Sequence, residues 1–208
     1  MSHVGLKLTT LTPFNYGHLL VSGGVATIPD VINDRAVVFA LCAALGKMSR
    51  SLVLPEKDVL GHMREIPWRT SLFTTDVPRL LRPIARRSDL GIEGGYQDQV
   101  QRASSSGNFK EYFTIQEVPA YQEFYGILDG EVDPFEIAEA DEFCIRVGSN
   151  RTGMVRVEKA NVSKVRLNVA TAKLFGRDLH CDRFVLDQIG MSKPMDVADA
   201  VSEMRQWH

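Results

Sequence analysis

The side chains of this chain with chemistry to offer are arginines, a few aromatics and two histidines. The densest group lies in Phe143-Cys-Ile-Arg-Val-Gly-Ser-Asn-Arg-Thr-Gly-Met-Val-Arg-Val-Glu158, where Arg151 sits inside a run bounded by Gly148 and Gly153, between Arg146 and Arg156. A guanidinium fork matches a phosphate, and two glycines let a backbone approach one closely. An ordinary hairpin with solvated arginines fits the same residues. Lys47 and Arg50 add cations before the middle of the chain, and Arg64, Arg86 and Arg87 add more within it. Tyr16, Trp68 and Tyr96 are aromatics on which a base could stack, a partnership that works well beside arginine. Trp68 and Tyr96 serve equally well as packing for their own neighbourhood.

Several chemistries have no residues to run them. Neither GxxxxGK[ST] nor GxGxxG occurs, since Gly91, Gly94 and Gly95 fit neither spacing. No paired cysteines, HExxH or GxSxG elbow occurs. His180-Cys181-Asp182 sets three possible ligands side by side, but neighbours on a regular element point apart, so no metal site and no cofactor is expected. The carboxylates of 129–142 read as a solvated loop. One catalytic route stays open: a histidine can act as general acid or base in metal-free RNA cleavage, and His18 and His62 are the candidates.

The elements that must position these residues follow from periodicity. Phe143, Ile145 and Val147, then Val155 and Val157, alternate with polar neighbours, which predicts two strands around the glycine turn. Residues 4–11 alternate as a first strand, with Leu6 and Leu8 toward the core. Asn33 or Asp34 caps an almost wholly apolar helix from Arg35 to Leu45 that ends at Gly46, and such a helix must be buried on most faces. Residues 112–118 and 121–128 read as further strands, with Asp129-Gly130 as a turn, and residues 164–168 as another. Pro194 opens a final amphipathic helix over 194–206, with Val197, Ala200, Val201 and Met204 on one side. Between 47 and 111, prolines and glycines break every long pattern, as expected of an insertion with its own small structure.

The chain has 208 residues, 44% hydrophobic and 24% charged, enough for one sizeable globular core. Its net charge of −2 excludes a global polyanion signal, so the distribution carries more weight. Residues 64–87 hold six arginines against two acids, residues 116–142 nine acids and no base, and residues 143–177 eight bases against Glu158 alone. That segregation suggests a basic face and an acidic face. Three scattered cysteines suggest no disulfide framework and a reducing compartment, with Cys42 and Cys144 as core thiols. No stretch approaches a membrane span and no signal peptide opens the chain, so a cytoplasmic location is expected.

The order of features, an aromatic turn after the first strand, the Ala-rich helix entered at Asn33-Asp34, a long basic middle, Ile145-Arg146-Val147-Gly148 with its basic turn and the alternating strand to Glu158, then Lys164-Val-Arg-Leu-Asn168, resembles the CRISPR-associated Cas-five family of the RAMP superfamily. It is most similar to the small type I-D subunit of the Csc-one type, over about residues 4–190; the final helix has no counterpart in the resemblance. What the resemblance implies is an α+β, ferredoxin-like (RRM/RAMP) core: an antiparallel sheet with one buried helix, residues 1–208 as a single RAMP domain, and residues 47–111 as an inserted thumb. It implies a non-catalytic Cascade subunit that caps the backbone filament and holds the 5′ handle of the CRISPR RNA. The expected partners are that RNA, the filament-forming backbone subunit, the large subunit and target DNA near the protospacer-adjacent motif. The expected RNA contacts are Tyr16, Lys47, Arg50, Arg64, Arg86, Arg87, Arg146 and Arg151. Because some family members cut the precursor RNA themselves, a metal-independent endoribonuclease is the alternative.

Overall fold

The computed structural model describes residues 2–15, 19–21, 24–46, 58–89, 110–148, 152–186 and 188–207. In chain order the strands are β1 (Ser2–Thr10), β2 (Leu19–Val21), β3 (Gly24–Ala26), β4 (Val31–Ile32), β5 (Trp68–Thr70), β6 (Phe73–Thr74), β7 (Ile84–Asp89), β8 (Lys110–Ile115) and β9 (Glu123–Gly130). They continue with β10 (Glu142–Val147), β11 (Gly153–Lys159), β12 (Lys164–Val165), β13 (Arg183–Leu186), β14 (Ile189–Met191) and β15 (Met195–Asp196). The helices are α1 (Asp34–Leu45), α2 (Val59–Glu65), α3 (Pro134–Ala138), α4 (Val169–Leu174) and α5 (Val197–Met204).

The main sheet runs β10-β11-β1-β9-β6-β4, with β5 also paired to β9, and every pairing in it is antiparallel. Removing one added strand from each edge leaves β11-β1-β9-β6. With α1 between β1 and β6, and α3 between β9 and β11, this is the βαββαβ order 4-1-3-2 of a ferredoxin-like fold. The fold is therefore α+β, with an antiparallel sheet and a buried helix, as the alternation and the apolar run predict.

The period of 2 explains the layering. Leu6 and Leu8 of β1, Phe124 and Leu128 of β9, Val155 and Val157 of β11, and Ile145 and Val147 of β10 share one face. Val37, Val38 and Leu41 of α1 and Phe135 of α3 cover that face in a single core. Asn33 caps α1, its side chain accepting from the Arg35 amide at 3.0 Å, and Gly46 closes it in the left-handed region at φ 65°. Burial pushes the Cys42 thiol up to about 11.

On the opposite face the C-terminal third builds a second cluster. Val165, Leu167, Phe175, Val201, Met204 and Trp207 gather with Met63 of α2 around Ile127 of β9. The Trp207 ring stacks on Phe175 at 6.0 Å, and Arg177 grips Glu203 through two bonds of 2.9 Å. The final helix thus closes a core. It begins at Val197 and not at Pro194, because Met195 and Asp196 pair with β12 first.

The described residues of the 47–111 stretch do not behave as one inserted unit. Residues 58–74 belong to the main body: Trp68 is fully buried in the principal core and donates its indole N–H to the Val132 carbonyl at 2.7 Å. Residues 84–89 form β7, paired with β8 in a separate four-stranded sheet of order β2-β3-β8-β7. Asp129-Gly130 is likewise strand and not turn, since both residues pair within β9. A Cβ on Gly130 would stand 2.5 Å from the Trp68 ring, so the glycine is there for close packing. Asp129 is buried and bonded to Arg205 at 2.9 and 3.1 Å, which removes it from any solvated acidic loop. Cys144 is exposed rather than a core thiol, because the inward positions of β10 are Ile145 and Val147.

Candidate nucleic-acid interface

At one end of the sheet three segments converge on Phe14, which is fully buried. Residues 14 and 118 exchange backbone hydrogen bonds of 3.2 and 2.8 Å. The Thr12 hydroxyl accepts from the Met154 amide at 2.8 Å and lies 3.2 Å from the Thr152 carbonyl, to which it donates. The β10–β11 pair is in register from Glu142 opposite Glu158 to Val147 opposite Gly153. Both glycines of the connection are required there. Gly148 sits at φ 84°, and a Cβ on it would reach 2.9 Å from the Asn15 carbonyl oxygen. A Cβ on Gly153 would reach 2.6 Å from the Phe14 Cβ. Both glycines that flank the connection therefore pack against Phe14, just beyond the end of β1. Gly153→Ala is expected to cost about 1–3 kcal/mol by overpacking, read as a lower melting temperature; an unchanged melting temperature would show that Gly153 does not press on Phe14.

Arg146 lies on the face of β10 away from the core, is exposed, and makes no ion pair with a described residue. It lines a hollow of about 410 Å³ between α1 and the outer strand β10, with Phe39, Ala40 and Cys144. Arg64, exposed in the last turn of α2, lines a different hollow of about 280 Å³ with Arg69, Asp129, Arg205 and Trp207. The two hollows share no lining residue. Arg86 and Arg87 are placed by the β7–β8 ladder opposite Phe113 and Tyr112; their side chains lie outside the described residues, as do Tyr16, Lys47, Arg50 and Arg151. His62 packs edge-on against Phe39 at 6.3 Å between ring centres with its Nε2 buried, and His18 lies outside the described residues.

Ion pairs among the described residues offset part of the charge segregation along the sequence. Lys159 bonds Asp133 at 2.8 Å, and Arg156 meets Glu142 and Glu158 at 3.6 and 3.1 Å. Arg166 bonds Asp182 at 2.8 Å and holds its carboxyl below the usual range. Lys7, between Glu123 and Glu158 at 3.7 and 3.3 Å, is raised chiefly by its bond to Glu158. Acids of 116–142 lie beside bases of 143–177 because β9, β10 and β11 are neighbours or near neighbours in one sheet. Among the described residues, these pairs mix the two signs along that part of the surface.

The structure also reveals a cleft that charge counting along the chain does not pick out. It holds about 720 Å³ on the sheet face away from α1, lined by Arg79, Tyr121, Tyr125, Lys164 and Arg166 among others. Its residues come from four separate stretches, which is why no single motif displays it. Among the described residues, no group of three or more His, Cys, Asp or Glu side chains could hold a metal ion, and no helix is long and apolar enough to cross a membrane.

No family model and no curated protein matches the chain. Among solved structures it is similar to a chain of the Type III-B Cmr-beta complex bound to cognate target RNA and AMPPnP, at TM-score 0.45 and 6% identity, over 79% of this chain and 67% of that one. It is also similar to Pyrococcus furiosus Cmr4 (Cas7), at TM-score 0.37 and 14% identity, over 77% of this chain and 100% of that one.

Proposed function

We propose that this chain is a non-catalytic, RNA-binding subunit of a CRISPR effector complex, of the Cas-five kind in a type I-D Cascade. The observation that carries this reading is the pair Gly148 and Gly153, both packed against Phe14 at the end of a ferredoxin-like sheet, with Arg146 exposed on the adjoining strand. Glycines leave room for a phosphate to approach the backbone closely, and an exposed guanidinium beside them matches its charge. In this role the chain holds the 5′ handle of the CRISPR RNA through Arg146, Arg151, Lys47, Arg50, Arg64, Arg86, Arg87 and Tyr16. It caps the filament-forming backbone subunit and meets the large subunit where target DNA is read near the protospacer-adjacent motif, in the cytoplasm.

The test is RNA affinity against salt for the co-expressed complex. Arg151→Ala, Arg87→Ala and Arg146→Ala are each expected to weaken handle binding and to reduce the salt slope by about 1. Unchanged affinity and slope in all three would sink the reading. Incubation with labelled repeat RNA in EDTA is expected to leave it intact; cleavage lost in His18→Ala or His62→Ala would instead make the chain a nuclease.

A further inference from the structure

Tyr121 is an unusual residue for its place. Its backbone is left-handed at φ 59°, a conformation that bulky residues avoid, yet its side chain is 75% exposed and gains little from burial. The conformation is imposed from both sides. The Tyr121 amide donates to the Thr10 carbonyl at 2.7 Å, and Arg79 Nη2 donates to the Tyr121 carbonyl at 2.6 Å. The Arg79 amide is fixed in turn by Gln122 Oε1 at 3.0 Å. A strained backbone that holds an aromatic ring in solvent is a feature found at binding sites.

The ring stands at the 720 Å³ cleft described above, whose size falls within the range of small-ligand sites. Tyr125 supplies a second aromatic, 39% exposed, with its hydroxyl committed to Glu123 Oε2 at 2.8 Å. The cations of the cleft differ in availability. Arg166 is held by Asp182 and the Ser192 carbonyl, both at 2.8 Å, and Arg79 by the Tyr121 carbonyl. Lys164 is exposed and makes no ion pair with a described residue. Of the acids, Glu123 already faces Lys7, and Asp76 is the other. Asn161 and Ser163, both exposed, bring amide and hydroxyl groups that suit the edge of a base.

We propose that this cleft takes one unpaired nucleotide of a single-stranded RNA, with its base stacked on Tyr121 and its phosphate at Lys164. The inference rests on the RNA-binding reading and gives it a site on the sheet face, built from residues other than those of the glycine turn. An aromatic interleaved with bases in a concave, polar-edged space favours a nucleotide over a protein anchor.

The test uses the full chain and two probes: a fluorescein-labelled 12-nucleotide oligouridine for anisotropy, and the same RNA carrying one 2-aminopurine. Tyr121→Ala is expected to bind about ten-fold or more weakly and Tyr121→Phe within about two-fold of wild type, since stacking needs the ring and not the hydroxyl. Lys164→Ala is expected to lower the salt slope by about 1. Quenching of 2-aminopurine is expected with wild type and not with Tyr121→Ala. Tyr121→Gly is the folding control: it relieves the left-handed strain, so it is expected to melt no lower than Tyr121→Ala and still to bind weakly. If wild type binds the RNA and both Tyr121→Ala and Tyr121→Gly bind it equally, the cleft assignment is wrong while RNA binding stands. If wild type binds no RNA, the broader reading falls with it. If the Tyr121 variants keep RNA but lose a co-purified subunit, the cleft is a protein site and the proposal is overturned.

Discussion

Replacing Trp68 by alanine is expected to lower stability by about 3–5 kcal/mol, the range for deleting a large buried aromatic. Trp68 is fully buried, its indole N–H bonds the Val132 carbonyl at 2.7 Å, and Gly130 is shaped to its ring. The loss combines a cavity with an unpaired carbonyl. For a chain of this size it corresponds to a melting temperature lower by roughly 6–20 °C, measured by thermal or urea unfolding. Trp68→Phe keeps most of the volume and is expected to lose about 1–2 kcal/mol. A melting temperature unmoved by Trp68→Ala would show that residues 58–74 are not part of the principal core. RNA affinity per folded molecule is expected to stay the same, because the indole faces the interior and not a base.

The second expectation concerns the start of α1. Asp34 is buried, and burial pushes its carboxyl above the ordinary value, opposed by the Asn168 amide, which donates to its Oδ1 at 2.6 Å. An acid whose folded value is raised binds its proton more tightly in the folded state. Its contribution is therefore fully present below the unfolded value of 3.8 and is lost as pH rises through the raised folded value. Asp34→Asn removes that titration, keeps an acceptor for Asn168, and is expected to flatten the fall and exceed wild type in stability above it. Asp34→Ala leaves the Asn168 Nδ2 one acceptor short and is expected to cost about 1–3 kcal/mol at neutral pH. Urea melts across a pH series decide this: identical pH slopes for wild type and Asp34→Asn would refute it.

Local pattern determined much of this protein. The alternation at 143–147 and 155–157 marks both strands and their inward residues, because a pleated strand exposes its period directly in side-chain polarity. Asn33 and Gly46 mark the ends of α1, because capping depends on the chemistry of one residue and its immediate backbone. The turn between Gly148 and Gly153 is legible as a turn for the same reason. That Phe14 packs against both of these glycines is not, since that contact joins residues more than a hundred positions apart.

Tertiary structure decided the rest, through forces with no sequence period. Asp129-Gly130 carries a strong turn signature, yet pairing with β1 and β5 and close contact with Trp68 override it. The charge blocks look segregated along the chain, and the sheet order sets Asp133 against Lys159 and Glu142 against Arg156. The broken middle reads as one insertion, while burial draws Met63, Trp68 and Phe73 into the body of the fold. The cleft beneath Tyr121 belongs wholly to this second category. Arg79, Tyr121 and Lys164 are ordinary surface residues in sequence, and only the folding of four stretches onto one sheet face brings them together. Periodicity and caps are local energies written residue by residue, whereas a binding surface is a sum over distant neighbours, and that sum exists only once the chain has closed.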